Sequence, residues 1–294
     1  MLDFIYYPVS AILWVWHTAF AAVLGPASGI AWVLAVIFLV ITLRAALFFP
    51  FLKQARTQAV MQRLQPRVKA IQQKYKDDPR RKNTEIQQLF TDNGVNPFTS
   101  LIPLVAQVFV FIGLFHVLRS FDRTGTFDYL PVGRAAAMTA EQNAATANYL
   151  FGPTDVQSFL HADLFGAPLS ATLAGAGELL STVAIVALPL MLIAAVATHF
   201  TARAAMGRQT GTTAVPFMRT LSLWVFPAAA IVGGAMLPVA ILLYFVTNNA
   251  WTLAQQHVVY RRLDAETAAE ATQVAARRVA AAPKPGVKPE RQRR

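Results

Sequence analysis

A single arginine stands inside one of the most apolar stretches of the chain. Arg44 follows the uncharged run Ile30–Leu43, and eight uncharged residues, Ala45–Leu52, separate it from the next lysine. A helix that begins near Ile30 would carry this guanidinium about 21 Å along its axis, inside a hydrocarbon core about 30 Å thick. Two interpretations remain open. The side chain snorkels to the headgroups, or it faces a water-filled cavity that hydrates its charge.

Other polar side chains also occur at predicted membrane depth, and they need partners as well. They are Gln107, Tyr244, Thr247, Asn248 and Asn249. Tyr244 and Asn248 are four residues apart and share one helix face, which Trp251 and Gln255 continue. These side chains either form interhelical hydrogen bonds or line a hydrated cavity that Arg44 completes.

The residue types of the chain give little indication of a catalytic or metal-binding site. The chain has no cysteine, and its five histidines are scattered without metal-ligand spacing. No carboxylate lies inside a predicted span except Glu178 at an edge, which argues against proton-coupled transport and aspartyl protease chemistry. We therefore expect no enzymatic activity, no cofactor and no metal. A small-solute transporter or channel remains the alternative function, although no internal repeat is visible.

The composition predicts an all-α polytopic membrane protein. Hydrophobic residues make up 55% of the 294 residues and charged residues only 14%. Uncharged or nearly uncharged segments long enough to cross a bilayer are predicted at 29–52, 97–118 and 179–202, with two more inside 220–260. Because Thr220 to Tyr260 contains no charged residue and is too long for one span, we place a hairpin turn near 233–238, at Gly233, Gly234 and Pro238.

The positive charges predict the orientation of these spans. Residues 51–96 hold ten Lys or Arg against four acids, whereas residues 119–178 hold three against six. Lys and Arg accumulate on the cytoplasmic side, so the segment 53–96 is predicted to be a cytoplasmic basic hairpin and 119–178 an external loop. By the same rule the loop 203–219 and the tail 261–294 are cytoplasmic. Five spans then leave the N-terminus outside and the C-terminus inside.

Local signals subdivide the connecting segments. Residues 1–28 are predicted to form an external interfacial helix because Trp and Tyr cluster there, with a sixth span as the alternative. The cytoplasmic hairpin breaks at Asp77-Asp78-Pro79 and ends at Asn93-Gly94, and Val60, Leu64, Val68 and Ile71 give it one narrow apolar face. The Ala-rich stretch 134–148 is predicted to have little order. An Ala-rich helix is expected at about 265–282, before the tail loses structure at its prolines.

The basic residues of the hairpin and the tail predict anionic contacts on the cytoplasmic side. Clustered Lys and Arg bind either RNA phosphates, as on a ribosome, or anionic lipid headgroups, and the sequence leaves both open. The residues concerned are Lys53, Arg56, Arg63, Arg67, Lys69, Lys74, Arg261 and Arg262.

Several short motifs, in a specific order, resemble the YidC family of membrane protein insertases. They are Ile41-Thr42-Leu43-Arg44, Phe49-Pro50-Phe51, Met61 to Pro66, Asn93-Gly94-Val95-Asn96-Pro97, Pro103 to Gln107, and Leu243 to Asn249. The resemblance covers nearly the whole chain and is closest to the short Gram-positive or actinobacterial form, with an unusual external insertion at about 120–178.

This resemblance implies a fold and a function. Five transmembrane helices would enclose a hydrophilic groove that opens to the cytoplasm and sideways to lipid but is closed toward the outside. Arg44 would be its positive charge, and Gln107 and the residues from Tyr244 to Asn249 would line or support it, with Phe245 where the family commonly has Trp. The implied activity is insertion and chaperoning of nascent membrane proteins in the bacterial cytoplasmic membrane, alone or with the Sec translocon. Ribosomes or targeting factors are further implied partners, and DNA is not.

Overall fold

The computed structural model describes residues 2–96, 102–124, 138–208 and 219–280, and most of them are helical. The helices are α1 (Asp3–Leu24), α2 (Gly29–Ala46), α3 (Phe48–Lys74), α4 (Pro79–Asp92), α5 (Ile102–Arg119), α6 (Ala140–Ala145), α7 (Pro153–His161), α8 (Leu180–Arg208), α9 (Phe226–Gly234) and α10 (Val239–Ala280). A 3₁₀ turn at Gly177–Leu179 precedes α8, and a π-helical turn at Leu221–Val225 precedes α9. The predicted all-α class is confirmed, apart from the two-residue strands β1 (Asp163–Leu164) and β2 (Ala167–Pro168).

The described helices include several that suit a bilayer. Asp3–Leu24, Gly29–Ala46 and Gly177–Met206 are long and apolar enough to cross a membrane, and Val105–Arg119 and Leu221–Gly234 are shorter apolar helices. The last predicted span lies in the first part of α10, where Thr247, Asn248 and Asn249 interrupt the apolar sequence.

The chain divides into two compact units, Met1–Leu253 and Ala254–Arg294. The described part of the second unit, residues 254–280, is the continuation of α10 as one helix. The predicted helix at about 265–282 is confirmed as far as residue 280, and it is the later part of α10 because no helix-breaking residue interrupts the sequence between 239 and 280. The prolines of the tail lie outside the described residues.

The core of the first unit is built around α1 and α2, which pack against each other. Gly25, at φ 92°, ends α1 in a conformation that glycine adopts easily, and α2 begins four residues later. Leu13 of α1 and Trp32 of α2 are fully buried, and the His17 ring lies on Trp32 with 3.6 Å between the ring centres. This core holds α2, and with it Arg44, in a fixed position.

The first predicted span is not one continuous helix. α2 ends at Ala46, the Leu47 N–H donates to the Leu43 carbonyl at 3.2 Å, and α3 begins at Phe48. Pro50 explains the position of the break. Without an amide hydrogen, proline is tolerated in the first turn of a helix, whereas inside a continuous helix it would remove a backbone hydrogen bond. Phe48 to Leu52 therefore belong to the helix that carries the basic hairpin.

The hairpin of α3 and α4 turns where the sequence predicts. Asp78 caps α4 by accepting from the Arg81 N–H at 3.0 Å, and Pro79 occupies the first helical position. Gly94, at φ 66°, follows the end of α4. Of the predicted apolar face of α3, Leu64 and Val68 are buried.

The insertion between α5 and α8 is more ordered than predicted. Residues 134–137 lie outside the described residues, but α6 forms within the stretch expected to have little order. Thr139 and Gln142 make a reciprocal capping box at its start, which accounts for a helix of only six residues. Two buried asparagines fasten the insertion to the end of α5. Asn148 Nδ2 donates to the Val117 carbonyl at 3.1 Å, and Asn143 Nδ2 to the Phe121 carbonyl at 2.9 Å.

The end of the insertion also pairs with the turn between α9 and α10. The Val239 N–H donates to the Ala171 carbonyl and the Ala240 N–H to the Leu169 carbonyl, both at 3.0 Å. In the opposite direction, the Ala174 N–H donates to the Ala235 carbonyl at 2.8 Å. The first N–H groups of a helix lack partners within the helix, so these carbonyls satisfy donors that would otherwise be buried unpaired. The predicted turn at 233–238 is thus covered by the insertion.

Candidate functional site

Arg44 donates hydrogen bonds across to α10. Its Nε lies 2.8 Å and its Nη2 2.5 Å from Asn248 Oδ1, and Nη2 also donates to Thr252 Oγ1 at 2.9 Å. The last turn of α2 directs the guanidinium at this face of α10, where residues 248 and 252 are one turn apart. The guanidinium is therefore hydrogen-bonded within the protein.

Gln107 of α5 contacts the same face of α10, so three helices contribute side chains here. Its Nε2 lies 3.3 Å from Tyr244 Oη and 3.5 Å from Asn248 Oδ1, the second distance being that of a weak hydrogen bond. Tyr244 is only 2% exposed, and its ring lies 6.0 Å from that of Phe111. We call Arg44, Gln107, Tyr244, Asn248 and Thr252 the polar cluster.

The charge of the polar cluster is not balanced. Within the part of the chain that the structure describes, no carboxylate lies within ion-pair distance of Arg44, and its acceptors are an amide and a hydroxyl oxygen. Arg44, Gln107 and Asn248 are each half-buried, so the cluster is reached from the protein surface. Hydrogen bonds to a charged donor are stronger than neutral ones, but they leave its net charge in place. The cluster therefore offers a positive charge within apolar helices.

The predicted site residues divide into two groups. Arg44, Gln107, Tyr244 and Asn248 come together in the polar cluster, whereas Thr247 and Asn249 hydrogen-bond to their own helix. Thr247 Oγ1 donates to the Leu243 carbonyl and Asn249 Nδ2 to the Phe245 carbonyl, both at 2.9 Å. The Phe245 ring lies 5.7 Å from Phe111, in an aromatic contact beside the cluster.

Thr252 is the member of the cluster that sequence reasoning missed. It lies four residues after Asn248 and eight after Tyr244, so it belongs to the same face of α10. Its hydroxyl donates back to the Asn248 carbonyl at 2.8 Å while accepting from Arg44. Extending the Tyr244–Asn248 face by one further turn would have found it.

The predicted basic contact residues are all exposed. Those in the first unit lie along α3, and those in the second unit lie in the later part of α10. They are Lys53, Arg56, Arg63, Arg67, Lys69 and Lys74 in the first unit, and Arg261 and Arg262 in the second.

Comparisons with known proteins identify relatives along nearly the whole chain. Residues 23–266 match the family described as 60Kd inner membrane protein. The chain is 47% identical to the membrane protein insertase YidC of Mycolicibacterium paratuberculosis, covering 99% of this chain and 84% of that protein. It is 46% identical to the YidC insertase of Mycobacterium tuberculosis, covering 99% and 81%, and 31% identical to that of Streptomyces avermitilis, covering 89% and 58%.

Proposed function

The chain belongs to the YidC family of membrane protein insertases, and from this premise we propose that it inserts nascent membrane proteins through a polar groove centred on Arg44. Membership also makes it a protein of the bacterial cytoplasmic membrane. The observation that carries the proposal is the unbalanced guanidinium in the polar cluster. A buried charge without an acidic partner is expensive in hydrocarbon, so this arrangement fits a hydrated cavity that receives negative charge.

The orientation in this proposal places the hairpin of α3 and α4 inside and the insertion outside. The basic residues of α3 support it, because positive residues are retained in the cytoplasm. The hydrogen bonds from Val239 and Ala240 to the insertion support closure of the groove on the external side. Substrate would then enter the groove from the cytoplasm and leave it sideways.

The contacts of α1 favour an external interfacial helix over a sixth span. Near the start of α1, the Tyr6 ring stacks on His116 with 4.0 Å between the ring centres, three residues before the proposed external end of α5. At the other end, α1 finishes at Leu24, and α2 begins five residues later at its proposed external end. Both ends of α1 thus lie near the same side, although its length would suffice to cross. The middle of α1 also contacts α2, where Trp16 Nε1 donates to Thr42 Oγ1 at 3.0 Å. We therefore propose five spans and an external N-terminus.

The mechanism needs only electrostatics and burial. An acidic residue in the short external segment of a substrate would be attracted to Arg44 by about 3 kcal/mol at about 6 Å, with an effective dielectric near 20. The attraction brings the polar segment partway across the membrane. The apolar helix of the substrate then moves into lipid, where each Å² of buried apolar surface contributes about 25 cal/mol. No nucleotide is required for this sequence of steps.

The exposed basic residues of α3 and the second unit are the proposed contacts for ribosomes, targeting factors or anionic lipid. Their charge attracts phosphate through release of counterions, whichever of these carries the phosphate. Cooperation with the Sec translocon is proposed as a second mode of action beside independent insertion.

The test is reconstitution of the pure protein in liposomes with a newly synthesised single-span substrate. Arg44→Ala should slow insertion of a substrate with an acidic external segment, and Arg44→Lys should slow it less, because lysine keeps the charge but not the forked geometry. Protease protection of the external segment measures insertion. If both variants insert this substrate as fast as the wild type, the charge has no role.

A further inference from the structure

The insertion ends in a β-hairpin whose tip exposes a phenylalanine in an unfavourable conformation. β1 and β2 pair Asp163 with Pro168 and Leu164 with Ala167, which leaves Phe165 and Gly166 as the two turn residues. Both have positive φ, 54° and 83°. Such turns favour Asn, Asp or Gly, and a phenylalanine in the left-handed region costs about 1–2 kcal/mol. Phe165 is also 85% exposed.

The base of this hairpin is held firmly, so the tip has a definite position. Ala167 is fully buried, and the Gly166 N–H donates to Asp163 Oδ1 at 2.8 Å. In water, a phenylalanine at this position would carry two costs, the left-handed backbone conformation and the exposure of its apolar ring. The arrangement is accounted for if the ring lies in an apolar environment.

The neighbours of the hairpin identify that environment. A Cβ on Gly29, the first residue of α2, would lie 1.9 Å from the Asp163 carbonyl oxygen, and one on Gly166 would lie 3.3 Å from the Thr182 methyl group. The base of the hairpin therefore lies beside the first turn of α2 and its tip beside the first turn of α8, the two helices best suited to cross the bilayer. Exposed apolar side chains adjoin both points, at Ile30 and Leu180.

We propose that Phe165 inserts into the outer leaflet and anchors the insertion to the phospholipid boundary. The apolar surface that α2 and α8 present to lipid continues onto the hairpin tip, and aromatic residues favour the depth of the headgroups and upper acyl chains. The insertion is then held over the groove by lipid as well as by its contacts with α5 and α10. The inference rests on the orientation proposed above, with the insertion outside.

Photo-crosslinking identifies the partner of the tip. Phe165 is replaced by p-benzoylphenylalanine, which keeps an aromatic ring at the position, and Glu141, exposed on α6, is replaced in the same way as the control. After irradiation in native membranes, mass spectrometry should show phospholipid adducts at 165 and none at 141. Adducts of position 165 with protein alone, or equal lipid adducts at both positions, would overturn the proposal.

A second measurement determines depth and leaflet. The chain has no cysteine, so Phe165→Cys and Glu141→Cys each carry one environment-sensitive fluorophore after labelling. In sealed vesicles of known orientation, the label at 165 should emit at shorter wavelength, resist aqueous iodide and be quenched by nitroxide lipids in the outer leaflet. A label at 165 that iodide quenches as strongly as at 141, or that only inner-leaflet lipids quench, contradicts the proposal. Because position is read without substrate, a failed insertion assay leaves this result unaffected.

Discussion

Asn248→Asp would place a carboxylate on the Arg44 guanidinium without changing the size of the side chain. In the wild type the Asn248 oxygen already lies 2.8 Å from Nε and 2.5 Å from Nη2, so the aspartate needs no rearrangement. Opposite charges about 4 Å apart attract each other by about 4 kcal/mol at an effective dielectric near 20. The variant should therefore fold normally, with the positive charge of the polar cluster neutralised inside the protein.

Neutralising the charge of Arg44 determines how much the insertion of an acidic substrate should slow. An incoming acidic residue at about 6 Å gains about 3 kcal/mol from an unpaired guanidinium and much less from a neutral ion pair. Since about 1.4 kcal/mol corresponds to a factor of ten, insertion of an acidic substrate should slow by roughly ten- to a hundredfold. A substrate whose acids are replaced by amides should be inserted at the wild-type rate.

The assay compares these two substrates in liposomes, with Asn249→Asp as the matched control. Asn249 undergoes the same chemical change one residue further on, but its side chain bonds to the Phe245 carbonyl and not to Arg44. The control should insert each of the two substrates at the rate that the wild type shows for it. Should Asn248→Asp insert the acidic substrate as fast as the wild type, or slow both substrates equally, the charge-attraction argument is refuted.

Two other predictions concern the packing of the insertion and the role of the tail. Gly29→Ala should destabilise the protein in thermal unfolding, because its Cβ would meet the Asp163 carbonyl oxygen at 1.9 Å. Gly233→Ala, which meets nothing within 4 Å, should not, and equal unfolding temperatures for both would contradict the close approach. Truncation after Arg262 should reduce co-sedimentation with ribosomes in moderate salt, since it removes most basic residues of the tail. Unchanged co-sedimentation would exclude the tail as a ribosome contact.

The sequence alone determined the features that depend on local chemistry. Asp78 and Pro79 start α4 because a capping carboxylate and a proline at the first helical position act within one turn. Hydrophobicity over some twenty residues was enough to predict the all-α membrane class, and Arg44 stood out because its charge lies in an apolar run. Pro50 also indicates the helix break at Leu47. That break was not predicted, because the apolar sequence continues on both sides of it.

Only the tertiary structure decided which distant residues meet. Arg44 and Asn248 are 204 residues apart, and whether a side chain of α10 faces Arg44 depends on the rotation of the helix about its axis. A shift of one residue turns a side chain by about 100°, which is why Asn248 joins the polar cluster while Thr247 and Asn249 bond to their own helix. The pairing of the insertion with the start of α10 is equally long-range. The carbonyls of residues 169 and 171 accept from the N–H groups of residues 240 and 239, and no local sequence pattern predicts these pairs.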